Sequence, residues 1–285
     1  MKIVSLMGGL GNQLFQLAFA KFLEGECNEQ VKIDVGLLTG GFPFASTRQL
    51  EISPACFEFK VVGWGGVLWR LPRWLRFPFA AEPGEPYDWN VDQFRKSVVF
   101  LRGYFQDREL VRLVGDRFLD QLASAMPAGR DSTPTVGVHI RLGDYLKLEV
   151  ANFHGVTDPR WSLRQCELLA DKEGIEKKVV FTDSPNLLRR LVGDNALNSF
   201  ELDESKSALE VLSKMAKCEG FVMSNSSLSW WASTLRSHWS TRPTTTVCPS
   251  PWLAETGALD RKLFQDEWTI LRRDMLSPAE VMDLQ

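Results

Sequence analysis

The chain of 285 residues has little of what most metal, redox and hydrolytic sites are built from. It holds three histidines and five cysteines, and Cys27, Cys56, Cys166, Cys218 and Cys248 are odd in number, widely spread and never in a CxxC pair. That spacing offers neither a metal clamp nor a dithiol shuttle, and it reads as the reduced, buried thiols of a cytosolic protein. No DxD, HExxH, GxSxG or P-loop sequence occurs. A divalent ion on paired carboxylates, a zinc peptidase, a serine-hydrolase elbow and a Walker-type cradle all lose support. No stretch approaches the roughly 20 apolar residues of a membrane span. The opening MKIVSLMGGLGNQ has one basic residue and a short apolar run broken by glycines and amides, which predicts no secretory leader. A formal net charge of -3 gives no global pull toward nucleic acid or anionic lipid. Phosphate chemistry must then come from locally placed basic groups.

What is present is a rhythm of short apolar runs. TVGVHIRL (135–142), KVVFTD (178–183), SFEL (199–202), GFVMS (220–224) and TTTVCPS (244–250) show little polar alternation, as strands covered on both faces do. Helical patterns lie between most of them: Trp161, Leu163, Cys166, Leu168 and Leu169 after Pro159, and Leu209, Leu212, Met215 and Ala216 after Ser207. Strands alternating with helices predict an α/β fold with a parallel, doubly wound sheet of about five strands, whose ligands bind beyond the carboxyl ends of the strands. The first half opens likewise as a βαβ unit, with KIVSLM (2–7), a helix in NQLFQLAFAKFLEG and a strand in QVKIDVG. Residues 63–86, rich in Trp, Arg, Gly and Pro, read as an insertion in that half. Trp64, Trp69, Trp74 and Phe77 stand there beside Arg70, Arg73 and Arg76, a composition suited to an acceptor, to a membrane interface, or to ordinary packing. The polar break at 125–134 predicts two Rossmann-like domains, 1–132 and 133–285.

Polar groups gather where the strands stop. His139 and Arg141 end one strand, with Asp144 beyond Gly143; Thr182 and Asp183 end the next; Ser224, Asn225, Ser226 and Ser227 follow another. Capping of helices explains any one of these ends, and their coincidence points to a binding cleft. On a strand His139 and Arg141 point to one side, where Arg141 suits a bidentate phosphate contact and His139 the same oxyanion or a neighbouring sugar. A buried Arg141/Asp144 pair with a core His139 is the other reading of the same residues. In SNSSLSWWA, the turn at 224–227 and a helix N-terminus suit a diphosphate, while Trp230 and Trp231 either pack the sheet or stack on a base. GGLGNQ (8–13) places Gly9 and Gly11 after a strand, with the amides of Asn12 and Gln13 at a helix start and Asp34 ending the next strand. A dinucleotide fingerprint would need glycine where Leu14 stands, so an NAD-linked oxidoreductase is the weaker alternative and a glycine-demanding turn the plainer one.

Taken in order, GGLGNQLFQLA, VHIRLGDY, HGV, VVFTD, MAKCEGFVMSNSSLSWWAS and CPSPW make the chain resemble the bacterial α-1,2-fucosyltransferases of glycosyltransferase family 11, from residue 8 to about 252. The resemblance implies a GT-B-like architecture with two Rossmann-like domains facing a cleft, the first on the acceptor side and the second binding the nucleotide sugar. It implies GDP-fucose as donor, a galactose-terminated or lipid-linked glycan as acceptor, no metal or other cofactor, and inversion to an α-1,2 link in surface polysaccharide synthesis. The expected setting is the cytoplasm, with peripheral contact at the inner face of the membrane. The family's HxRRxD element falls on His139, Arg141 and Asp144, with Leu142 in place of the second arginine. Asp183 is the one acid kept in VVFTD, Val211 follows Glu210 where an acidic pair is usual, and Trp161 stands near the place of a missing tyrosine pair. Gly9, Gly11, Asn12, Gln13, Asp183, Ser224, Asn225, Ser226, Ser227 and Trp230 become the expected donor-binding set. His139, Arg141, Asp144 and His154 become the catalytic set, and Asp144, Glu149 and His154 are the candidate bases. An inactive nucleotide-sugar-binding homologue is the remaining alternative, suggested by Leu142.

Overall fold

Val, Ile and Phe runs closed by polar turns fold as parallel strands in two separate sheets. The computed structural model describes residues 1–28, 30–39, 48–63, 80–81, 99–127, 133–240, 244–254 and 259–284. The aromatic and basic residues of the insertion, Trp64 to Phe77, lie outside the described residues. Two compact units divide at Met1–Met126 and Pro127–Gln285, inside the polar break at 125–134. Among the described residues no helix is long and apolar enough to cross a membrane.

The second unit holds β6 (Thr135–Ile140), β7 (Lys177–Thr182), β8 (Glu201–Leu202), β9 (Gly220–Val222), β10 (Thr245–Ser250) and β11 (Thr269–Arg272). All pair in parallel, in the order β11-β10-β9-β6-β7-β8. The chain steps outward from β6 to β8, returns beside β6 as β9, and steps outward again. The order therefore reverses between β6 and β9, the place where open α/β sheets open a crevice beyond their strand ends.

Val136, Val138, Ile140 and Leu142 alternate onto one face of β6 and its continuation, where Trp161, Leu163, Cys166 and Leu169 of the helix Pro159–Glu173 meet them. That helix starts on Asp158, which accepts from Arg160 N, and stops at Gly174 with φ 66. Leu168, expected in its apolar stripe, is 54% exposed. Burying each of Val136, Val138, Leu142 and Val180 contributes on the order of 1.5–3 kcal/mol. Leu142 thus belongs to the core, and Trp161 joins the same cluster. Cys166, Cys218 and Cys248 are buried, their thiols pushed up in pKa by that burial, whereas Cys56 is exposed, against the expectation of buried thiols throughout.

The first unit carries β1 (Lys2–Ser5), β2 (Val31–Asp34), β3 (Lys60–Val62), β4 (Ala80–Ala81) and β5 (Phe100–Leu101), ordered β3-β2-β1-β5-β4 and also parallel. Its first helix begins at Leu10, so Gly11 lies inside its first turn rather than in the preceding loop. Phe19 stacks on Phe105 at 3.7 Å between centroids, tying this helix to the chain after β5.

Candidate functional site

The face of β6 opposite Val136 and Val138 carries His139. It is 4% exposed, and its Nδ1 lies 2.5 Å from Ser229 Oγ and 3.0 Å from Ser224 Oγ. Ser224 N donates to the same Ser229 Oγ at 3.2 Å, so the turn after β9 and the first turn of the helix Ser227–Trp239 close around one imidazole. Burial first, then the nearby Arg141 charge, brings the His139 pKa down to about 3. The ring is neutral at any ordinary pH.

Arg141 follows β6 and sits between two acids, with Nη2 at 2.5 Å from Asp144 Oδ1 and Nη1 at 2.8 Å from Asp183 Oδ2. Its guanidinium also lies 5.8 Å above the Tyr145 ring centroid. Burial works against its charge, but the facing Asp183 and Asp144 more than offset it, so its pKa stands above the ordinary arginine value. Asp183 is held in turn by Leu142 N, which donates to Oδ1 at 3.0 Å. Gly143 is required by this closeness, since a Cβ there would collide with the Asp183 carboxylate. One cation between two carboxylates is a cluster of net charge -1 at neutral pH. Of the five guanidinium N–H groups one donates to Asp144, while Asp183 is held as an ion pair, so the fork keeps donors for a ligand oxygen.

Behind these residues lies a knot of buried donors. Asn225 Nδ2 donates to the carbonyls of His154 at 2.9 Å and Trp252 at 3.1 Å. Arg273, just past β11 and 3% exposed, donates to the carbonyls of His154 and Gly155 and to Thr157 Oγ1. Its Nε has no partner, and burial above all lowers its pKa to about 10. Arg273 is the functional-region residue the sequence reading passed over; an arginine ending an apolar run, as Arg141 does, was the available signal. Together Asn225 and Arg273 lash the HGV turn (154–156) and Trp252 to the ends of β9 and β11. His154 stacks on Tyr145 at 4.8 Å between centroids, and its Nδ1 is buried without a partner. Burial is the largest influence on it, Asp144 opposes, and Arg273 and Arg141 add to the fall, leaving a pKa of about 4. A base that weak gains little from the ideal matching of pKa to working pH.

The structure thus brings His139, Arg141, Asp144, Asp183 and Ser224 together at the strand-order reversal. Ser226 caps the helix Ser227–Trp239 by accepting from Leu228 N, and Ser227 is its half-exposed first residue. Asn225 is spent on loop carbonyls. Trp230 is wholly buried and its Nε1 donates to Leu263 O, which corrects the stacking role expected for it: neither ring face is available to a ligand. Glu149 is exposed on the helix Leu148–His154. Elsewhere in this unit a hollow of about 590 Å³ runs over β7 and β8, past Phe181, Asp203 and Glu210, and it includes none of these clustered residues.

In the first unit, taken by itself, Gly8 rather than Gly9 adopts the left-handed conformation, with φ 77, and Gly9 caps the helix with its carbonyl accepting from Asn12 N and Gln13 N. Gln13 is buried and bound to Gly8 O, Gln49 O and Glu51 N, so its amide staples the turn to the segment 49–51. Asn12 is half-exposed, with Oδ1 accepting from Gln106. Gly11 is buried. Asp34 is fully buried, taking hydrogen bonds from Ser5 Oγ and Gly36 N, which removes the ribose-reading acid on which the dinucleotide alternative depended.

Comparison with known proteins bears on the family and the fold. The model of the family described as Glycosyl transferase family 11 matches residues 91–272. An Escherichia coli protein named alpha-1,2-colitosyltransferase is 24% identical over 277 residues, covering 88% of this chain and 91% of its own. A second Escherichia coli protein, the O-antigen biosynthesis glycosyltransferase WbnK, is 28% identical over 142 residues, 48% of this chain and 45% of its own. Among solved structures, POFUT1 in complex with GDP-fucose superposes with a TM-score of 0.50 at 14% identity, over 87% of this chain and 97% of that one. The fold is α/β and GT-B-like, with a parallel sheet in each unit.

Proposed function

The chain belongs to glycosyltransferase family 11, and on that footing we propose that it transfers fucose from GDP-β-L-fucose to the 2-hydroxyl of a terminal galactose-type residue. In this reading the reaction inverts the fucose anomeric centre, needs no metal ion, and extends a bacterial surface polysaccharide. The observation that carries it is the convergence of His139, Arg141 and the start of the helix Ser227–Trp239 where the strand order reverses. As the bond from sugar to phosphate breaks, the sugar becomes oxocarbenium-like and negative charge builds on the departing phosphate oxygen. Donors already aimed at that oxygen lower the barrier because they need no reorganisation at that moment. Arg141 supplies a full charge and a planar fork, Asp144 and Asp183 keep that fork from turning, and His139 adds a neutral N–H donor. The helix N-terminus at Ser227 contributes partial positive charge to the same place.

The α-1,2 linkage draws on the relative named alpha-1,2-colitosyltransferase, and the donor on POFUT1, solved with GDP-fucose. The colitosyltransferase also gives a second reading, in which the same linkage is made with colitose in place of fucose. One assay covers both. The chain is offered GDP-fucose, GDP-colitose or UDP-galactose with an array of galactose-terminated glycans, in EDTA. We expect fucose on galactose O2 in EDTA, with no transfer from the UDP sugar. Transfer from GDP-colitose alone selects the second reading, a loss restored by magnesium overturns the metal-free scheme, and transfer from UDP-galactose alone overturns the donor class.

A further inference from the structure

His139, Ser224 and Ser229 form a closed set of donors and acceptors. We infer from it that Ser229, with Ser224, is a positioning residue that holds His139 as the neutral tautomer protonated on Nε2. Only the consequence, an N–H aimed at the leaving phosphate oxygen, rests on the proposed donor site.

The argument is a count of hydrogens. Nδ1 of His139 has two neighbours, Ser229 Oγ at 2.5 Å and Ser224 Oγ at 3.0 Å, and these hydroxyls are 3.2 Å from each other. A fixed backbone donor, Ser224 N, points at Ser229 Oγ. All three residues are buried, so a hydroxyl hydrogen left without an acceptor carries a desolvation cost. With the proton on Nε2, Nδ1 accepts from Ser229 O–H, Ser224 O–H turns to Ser229 Oγ or to Nδ1, and each donor of the set has an acceptor. With the proton on Nδ1, the ring itself donates to Ser229 Oγ and ceases to accept. Ser229 O–H must then turn to Ser224 Oγ, and Ser224 O–H finds no acceptor in the set. On the Nδ1 side the first arrangement satisfies every group and the second strands one, while the Nε2–H is left pointing away from the serines for a ligand oxygen. Which ring nitrogen carries the proton is set by what the other nitrogen touches, and here that is a pair of serine hydroxyls in place of the usual carbonyl or carboxylate. A carboxylate at Nδ1 would cancel charge beside Arg141, already flanked by Asp144 and Asp183. Two hydroxyls fix the ring without adding a third negative group.

The tautomer is read directly from long-range 1H–15N correlations of the imidazoles in 15N-labelled chain at about pH 7.5, where the two neutral forms give distinct nitrogen shifts. Three histidines make the spectrum small, and loss of one signal set in His139→Gln assigns it. We expect His139 with Nε2 protonated and Nδ1 accepting, Ser229→Thr keeping that pattern, and Ser224→Ala/Ser229→Ala showing both tautomers. A parent spectrum with Nδ1 protonated, or with an imidazolium, overturns the inference, as does a double variant that keeps the parent tautomer. The parent spectrum decides the tautomer even where a variant fails to fold. In transfer assays Ser229→Ala should lose about ten- to a hundredfold in kcat, the size typical of residues that orient metal-bound imidazoles, with KM for the donor little changed and Ser229→Thr restoring most of the rate. An Nε2-protonated His139 whose signals do not move on adding GDP would overturn the donor site and leave the tautomer standing.

Discussion

Changing Asp183 to Asn separates orientation from charge at the centre of the site. The carboxylate uses its two oxygens on two different donors, Leu142 N at 3.0 Å and Arg141 Nη1 at 2.8 Å. An amide of the same shape has one oxygen, so whichever way it turns, one donor faces an NH2 group. A buried donor left unpaired costs about 1–3 kcal/mol. The Asp183 side chain is 25% exposed, so water takes up part of this and roughly 1–2 kcal/mol remains. For a chain of this size that is a fall in melting temperature of about 3–6 °C. Charge moves the other way. A diphosphate on Arg141 would lie about 6 Å from Asp183, where a like charge costs roughly 3 kcal/mol at an effective dielectric near 20. Neutralising Asp183 removes that repulsion, so GDP should bind Asp183→Asn at least as tightly as the parent in calorimetry. Turnover should nonetheless fall about a hundredfold, the usual loss when a catalytic group is free to shift by an ångström. Weaker GDP binding with unchanged turnover would refute the reasoning, because it would make Asp183 a ligand rather than the clamp on Arg141.

The pH dependence of stability has a definite sign. Burial holds His139 at about 3 against an ordinary value of 6.5, so below pH 6.5 the unfolded chain takes up a proton that the native ring refuses. The stability tied to this group is complete above pH 6.5 and drains away as the pH falls toward 3; by pH 5 about 2 kcal/mol is gone. His154, held at about 4, drains stability in the same direction, so the His139 share is the part of the loss between pH 7.5 and pH 5 in denaturant unfolding that His139→Gln lacks; an equal loss in parent and variant would mean that the ring is accessible and protonated when folded. Gly143→Ala places a Cβ against the Asp183 carboxylate, so it should cost activity to about the same degree as Asp183→Asn while leaving the helix content unchanged by circular dichroism. An alanine variant with full activity would show that Asp183 has room to move without disturbing Arg141.

The parts of this site that follow from local periodicity were readable in advance. Val136, Val138 and Ile140 alternate with Gly137, His139 and Arg141, so the period of two alone put His139 and Arg141 on one side of a strand. The helices after Pro159 and Ser207 were legible from their apolar spacing, and the structure adds that Asp158, Ser207 and Ser226 cap helix starts with their side chains. The pairings that give these residues their chemistry span long stretches of chain and leave no local mark. Arg141 meets an acid beyond β7, and Arg273 meets carbonyls from before the helix Pro159–Glu173. β11 was missed because its TILR run, closed by Arg272 and Arg273, is short and largely exposed at a sheet edge, too brief an apolar pattern to read as a strand. Missing β11 also hid Arg273. Trp230 and Gln13 were mistaken for ligand groups for the opposite reason: both lie in motifs rich in polar residues, and only the fold reveals that one is wedged in the core and the other stapled to backbone.

The central claim is that Arg141 is the cation that receives the departing phosphate. Arg141→Ala and Arg141→Lys, each first matched to the parent by melting and by circular dichroism, are compared for fucose transfer from GDP-fucose and for GDP affinity. Loss of one oriented charged donor should lower the turnover of Arg141→Ala by about 100- to 1,000-fold and weaken GDP binding with it. Lysine keeps the charge but lacks the planar fork, so its rate should fall between the two. An Arg141→Ala chain that melts like the parent and transfers fucose at nearly the parent rate would contradict the account.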